Sequence, residues 1–350
     1  MIVVHIESGL GNQMLGFCEY IALKKQNPNQ DIYIETIIYE IPECSKVICQ
    51  WNGYELERIF GINAPNVKSL FTDEEWAKVI DDVRKSKFWE HNWNWPSAIC
   101  SALNKAGLNL KNCRGNFREV QVNNKYNSLL NSIKNLFKNS YLGLKLKRFN
   151  NVFRQSKWIK KHDNRQNLFL KTNENIYTGH YLSFKMTGND RFIIDDDIRR
   201  TFVFPNLIDK KNIDITSYLD KNNSIAIHAR RGDMLSANGW CYKSGYFRRA
   251  VKYLRKKISN PVFVFFTDPG SIEWCKNNSE IFGLDFNKDI VLFVDWNTGE
   301  NSFRDMQVMS HCKHAIITNS SFGWWGAYLI KNPNKITISP LVEFDTTYHC

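Results

Sequence analysis

The chain has 350 residues, 43% of them hydrophobic, and its 47 Lys and Arg against 35 Asp and Glu leave a formal charge of +12. At about 150 residues per domain this predicts two domains with a core each, and it excludes disorder as the dominant state. The longest unbroken apolar runs, such as Val262 to Phe266, fall far short of the ~20 residues that cross a bilayer.

Met1 to Ile6 is a strand-length apolar run with no basic prefix, followed at once by Glu7. It does not read as a signal peptide, so the chain is expected to begin at Met1 and to stay in the cytoplasm. A turn over Glu7 to Asn12 leads into a helical period at Met14, Cys18 and Ile21 with Leu15 and Ala22; Lys24 and Lys25 suit its last turn, and Pro28 stops it. Within that turn, Gly9-Leu10-Gly11-Asn12-Gln13 is a glycine loop between strand and helix. Alone it is a weak signal, because the third glycine of a dinucleotide fingerprint is missing.

Residues 40 to 205 are rich in Trp, Asn and Lys and read as helices and insertions completing the first domain. Lys134 to Lys171 carries eleven Lys and Arg against one acid, Asp163. Leu142, Leu146, Phe149 and Phe153 recur there at helical spacing with Lys145, Lys147 and Arg148 off the line. Such a stretch ordinarily packs its apolar stripe on a core. Its functional alternative is docking onto an anionic membrane surface through residues 134–171, at about 1 kcal/mol per basic residue.

The last third alternates strands with helix-length segments: Ser224 to Arg230, Val262 to Thr267, Ile290 to Asp295, Ala315 to Thr318 and Lys335 to Ser339. That alternation predicts a parallel, doubly wound α/β sheet, with domains 1–210 and 211–350 meeting between Pro205 and Tyr218. Nine scattered Cys without a Cys-x-x-Cys pair read as cytosolic thiols. Eight His without ligand spacing give no reason to expect a protein-bound metal.

Two segments of this third carry chemistry. His228-Ala229-Arg230-Arg231-Gly232-Asp233 sits at a strand's carboxyl end, where ligands of open α/β sheets bind. Two adjacent guanidinium groups there suit a diphosphate, which answers them through paired N–H donors; an Arg–Asp salt bridge closing the strand is the plainer alternative. Strand alternation puts His228 and Arg230 on one side and Arg231 on the other. The second segment, Thr318-Asn319-Ser320-Ser321-Phe322-Gly323-Trp324-Trp325-Gly326-Ala327-Tyr328-Leu329, places an N-cap Ser and free N–H groups at a helix start, an anion site. Gly323 and Gly326 are expected to let this helix approach a neighbouring backbone, and the two Trp to pack rather than stack on substrate.

Taken together, these segments resemble the bacterial α-1,2-fucosyltransferases of glycosyltransferase family 11. Those carry G-L-G-N-Q at the extreme N-terminus, H-x-R-R-x-D past the middle, and a late D-x-x-x-M-S-x-C-x-H-x-I-x-x-N-S-S-F-x-W-W-G-A-x-L block. The block runs here from Asp305-Met306-Gln307-Val308-Met309-Ser310 to Leu329. This sequence departs from the pattern at Met14 to Cys18, at Gly323 where Ser is usual, and at Thr267-Asp268-Pro269-Gly270 where F-S-D-D is common.

The resemblance implies two Rossmann-like domains facing a cleft, the GT-B type, with GDP-L-fucose as co-substrate and neither cofactor nor metal. Fucose would pass with inversion to the 2-hydroxyl of a terminal β-galactose, on an O-antigen or other surface glycan unit that is lipid-diphosphate-linked at the inner membrane face. Arg230, with Ser320, Ser321 and their helix start, would offset charge on the β-phosphate; Gly11, Asn12, Gln13, Arg231, Asn319 and Phe322 complete the donor-binding set. His228 and Asp305 would hold guanine. Asp233 is the expected base, with Glu7 second. The competing readings are transfer to a 6-hydroxyl of N-acetylglucosamine or to a protein hydroxyl, and a basic nucleic-acid-binding protein. The latter leaves both motifs without a role, so no nucleic-acid partner is expected.

Overall fold

The structure, a computed structural model, describes residues 1–47, 52–91, 93–113, 146, 172–179 and 188–340. Nine short strands are found among these residues, and every strand pair is parallel. A parallel strand covered on both faces is apolar throughout rather than alternating. Ile2–His5 (β1) and Ser224–Ala229 (β5) show this, with every residue buried.

The first sheet joins β1, Ile32–Glu35 (β2), Lys111–Asn112 (β3) and Ile176–Thr178 (β4) in the order β2-β1-β4-β3. The second joins β5, Val262–Thr267 (β6), Ile290–Val294 (β7), His314–Ile317 (β8) and Thr337–Ile338 (β9) in the order β7-β6-β5-β8-β9. All five predicted strands of the last third are present. In each sheet the strand order reverses beside the central strand, between β1 and β4 and between β5 and β8. Such switch points open a crevice at the strands' carboxyl ends.

Alternate residues of the second sheet face two separate cores. Ile225, Ile227, Phe263 and Phe265 pack with Phe247, Val251 and Leu254 of the helix Tyr246–Arg255. Ala226, Val264 and Phe266 pack with Val308, Met309 and Ala327. The helix Leu10–Gln26 is buried along most of its length, which hides any amphipathic stripe. Gly9 is its N-cap, extended at φ −77°. Gly11, Asn12 and Gln13 are therefore its first turn, not the loop the sequence predicts.

The two sheets do not have separate cores throughout. Phe303, Met306, Trp325, Tyr328 and Leu329 of the second unit lie in one apolar cluster with Ile2, Met14, Phe17 and Cys18 of the first. Trp325 is fully buried, meets Phe202 edge to face at 5.2 Å, and donates from Nε1 to the Gly11 carbonyl at 2.9 Å. Trp324 stacks on Tyr328 at 5.0 Å. Both Trp pack, as expected. The basic stretch 134–171 lies outside the described residues except for Leu146, whose side chain is exposed. Among the described residues no helix is long and apolar enough to cross a membrane.

Candidate active site

A cleft of about 700 Å³ opens over the β5/β8 switch point and reaches the first unit. Ser8, Gly9, Gly11 and Asn12 line one wall; His228, Arg230, Asp233, Asp305, Asn319, Ser320, Ser321 and Phe322 line the other. Thus all but three of the residues singled out from sequence converge on one space; the exceptions are Gln13, Arg231 and Glu7, the last buried directly behind the cleft-lining Ser8.

The first exception follows from the position of the helix start. Gln13 is fully buried; its Nε2 donates to the carbonyls of Ser8 at 2.9 Å and Gly53 at 2.8 Å, and its Oε1 accepts from the Glu55 N–H at 2.8 Å. Its amide ties the loop after β1 to residues 53–55 and does not face the cleft. Arg231 is the second exception. Its guanidinium stacks 3.3 Å from the Trp274 ring centroid and 5.1 Å from that of Tyr242, a cation–π arrangement on the far side of the strand.

Arg230 stays in the cleft with a side chain 15% exposed. Its Nη1 lies 2.5 Å from Asp268 Oδ1 and its Nη2 donates to Asp233 Oδ1 at 2.7 Å. Asp268 directly follows β6, is almost wholly buried, and also accepts the Arg231 N–H at 2.5 Å. Two carboxylates therefore fix the guanidinium plane, and the plainer Arg–Asp salt bridge is present together with the cleft. Asp268, like Asn297 beside Asp305, is a cleft-lining residue to which sequence reasoning assigned no role. Its signal was position, directly after an apolar strand at the carboxyl edge.

Across the switch point, Ser320 is the N-cap of the helix Ser321–Leu329 in extended geometry, but its hydroxyl makes no capping bond, which leaves the first N–H groups for another acceptor. The close backbone approach expected at Gly323 and Gly326 occurs instead at Gly11. A Cβ there would stand 2.7 Å from the Phe322 nitrogen and 2.8 Å from the Ser321 carbonyl carbon. Gly323 faces the His228 ring, with which any Cβ would overlap, and Gly326 faces the Met309 side chain. The departure from Ser at 323 thus has a local cause.

His228 is buried beside Phe322, ring centroids 6.0 Å apart. Burial, and then the nearby Arg230 charge, push its pKa down to about 3, so the ring is neutral. Asp305 lies in the first turn of the helix Phe303–Ser310 and accepts from Asn297 Nδ2 at 2.8 Å. Burial pushes its pKa up to about 7. The arrangement can hold a diphosphate at Arg230 between two helix N-termini and present a carboxylate to a ring with adjacent N–H donors.

Residues 119–349, about two thirds of the chain, match the profile of glycosyl transferase family 11. Over 167 residues the chain is 36% identical to the alpha-1,2-colitosyltransferase of Escherichia coli, across 45% of this chain and 54% of that protein. Over 110 residues it is 32% identical to the galactoside alpha-(1,2)-fucosyltransferase 1 of Plecturocebus brunneus, across 30% of this chain and 28% of that protein. The chain therefore spans about half the length of the first relative and less than a third of the second. The α-1,6-fucosyltransferase NodZ, co-crystallized with GDP, superposes with a TM-score of 0.43 at 12% identity, over 93% of this chain and 90% of that one.

Proposed function

Because the chain belongs to glycosyl transferase family 11, we propose that it moves L-fucose from GDP-L-fucose to the 2-hydroxyl of a terminal β-galactose, with inversion at the anomeric carbon. The observation that carries this reading is the convergence of Arg230 and two helix N-termini, at Gly9–Asn12 and Ser320–Phe322, on one cleft. As the anomeric C–O bond breaks, its electron pair moves to the β-phosphate oxygen and the anomeric carbon becomes cation-like. A guanidinium fixed by two carboxylates and the free N–H groups of Ser321 and Phe322 are preorganised to offset that charge. Asp305 accepts from N1–H and the N2 amino group of guanine, held in place by Asn297, and His228 with Phe322 forms the adjoining wall. Asp233 serves this set by orienting Arg230.

Both curated relatives are α-1,2 transferases by name, which supports the linkage. The identity to a colitosyltransferase favours one second reading, a colitosyl donor in place of a fucosyl one. The excess of basic residues in 134–171 supports a lipid-diphosphate-linked acceptor, an O-antigen or other surface glycan unit, reached from the inner membrane face. Flotation with anionic liposomes should be lost on charge reversal of residues 145–161.

Calorimetry with GDP and incubation of GDP-fucose with a panel of β-galactosides, read by NMR for the linkage, test the reading. Heat of GDP binding, a 2-linked product and activity that survives EDTA are expected. Absence of GDP binding, or a product linked elsewhere, would overturn it.

A further inference from the structure

A second constellation of buried charge lies at the other switch point, between β1 and β4, and the donor site does not use it. His5, the last residue of β1, is fully buried and stacks on Trp95 with ring centroids 3.7 Å apart. Its Nδ1 meets Glu35 Oε1, and its Nε2 lies 3.6 Å from Glu7 Oε2. Glu35, at the end of β2, is fully buried and also accepts from Tyr177 Oη of β4 at 2.6 Å and from the Ile37 N–H at 2.9 Å. Glu7 alone of the three approaches the surface, with a side chain 9% exposed, and it accepts from Trp93 Nε1 at 2.6 Å.

Burying two carboxylates around one imidazole is costly, and the backbone here is strained as well. Ser8, which joins Glu7 to the cleft-lining Gly9, has φ +62°, and Trp93 has φ +56°. Left-handed backbone at non-glycine residues costs about 1–3 kcal/mol each and concentrates at functional sites. The Ser8 carbonyl is clamped by Gln13 Nε2 and by Tyr39 Oη at 2.8 Å, which gives Gln13 a purpose on this side of the cleft.

We infer that Glu7 is the base that takes the proton of the acceptor hydroxyl, and that His5 and Glu35 position it. This rests on the transfer proposed above. In an inverting displacement the acceptor oxygen attacks opposite the departing phosphate. Asp233 touches Arg230, on the phosphate side, whereas Glu7 stands at the carboxyl edge of the facing sheet. The acceptor oxygen bonds to the anomeric carbon, the C–O bond to phosphate breaks, and the hydroxyl proton passes to a Glu7 oxygen and then to solvent.

A positioned base contributes about 10²–10⁴-fold. Glu7→Gln, which keeps an oxygen for Trp93, should lower kcat about 100-fold or more while the acceptor KM and the GDP Kd change less than about threefold; Glu7→Asp should recover part of the loss. His5→Gln should lower kcat about tenfold or more with the same unchanged GDP Kd. A Glu7→Gln enzyme within about fivefold of wild-type kcat, or a loss of GDP binding in step with kcat, overturns the assignment. Failure of the wild-type protein to bind GDP would instead remove the nucleotide-sugar reading beneath it.

Discussion

Replacing Gly11 by Ala sets two effects of opposite sign against each other. In an unobstructed helix the change gains about 1 kcal/mol of helix propensity. Here the new Cβ would lie 2.7 Å from the Phe322 nitrogen, and the obstacle is backbone at the start of another helix, not the flexible end of a side chain. Reaching ordinary contact at 3.4 Å requires the two helix starts to part by about 0.7 Å, in a region where Trp325 ties them together through the Gly11 carbonyl. Overpacking of this kind costs about 1–3 kcal/mol, so the net change is about 0–2 kcal/mol of destabilisation. The catalytic loss should be larger, because a 1 Å misplacement of a binding group costs about 10²-fold. We expect kcat/KM to fall about tenfold to a hundredfold and GDP binding to weaken, measured by steady-state kinetics and calorimetry beside a thermal melt. Gly239, inside the helix Leu235–Lys243 with open space within 4 Å of where a Cβ would stand, is the control: Gly239→Ala should raise stability by about 0.5–1 kcal/mol. A Gly11→Ala protein that melts higher than wild type at unchanged turnover would refute the view that the two helix starts grip one ligand.

Arg230→Ala should lose about 3 kcal/mol of transition-state stabilisation, and Arg230→Lys should fail nearly as badly, since an ammonium cannot span Asp233, Asp268 and a phosphate in one plane. The Ala variant also strands the buried Asp268 carboxylate; its lower melting temperature should recover in the double variant with Asp268→Asn. Because burial holds the Asp305 pKa at about 7, GDP affinity should rise about tenfold between pH 6 and 8 as the carboxylate ionises; titration calorimetry should show this rise flattened in Asp305→Asn. For His5, burial opposes the charge, but Glu35 and Glu7 outweigh it and raise the pKa to about 9. The stability that charge contributes is complete below the ordinary 6.5 and is lost as pH rises through about 9, so melting temperatures from pH 7 to 9.5 should fall in the wild type and stay flatter in His5→Gln.

The second sheet was legible because each of its inner strands holds a run of three to five apolar residues closed by a polar group, and cleft-lining residues sit at or just past those closures. β3 and β4 were not, since strands of two and three residues carry no period. Gln13 misled for a related reason. Its neighbours Gly9, Gly11 and Asn12 line the cleft, but with the helix starting at Leu10 its amide points to the Gly53 carbonyl, forty residues away in sequence. The turn of Arg231 away from the cleft follows from strand alternation, whereas its stacking partner Trp274 is a long-range choice that no local pattern encodes. The Glu7, His5 and Glu35 cluster had a partial signal: the two-residue spacing from His5, which ends β1, to Glu7 just beyond it suits one side of an extended chain, and only the pairing of Glu35 with His5 across β1 and β2 completes it.

The apolar cluster shared by Met14, Phe17, Trp325 and Tyr328 has a bearing on how this protein can be handled and how it evolves. Severing the chain between its halves would strip both of a common greasy seam, so neither fragment should be obtained as a soluble, portable module. Exchanging N-terminal halves between homologues should succeed only when the residues of that seam travel with them.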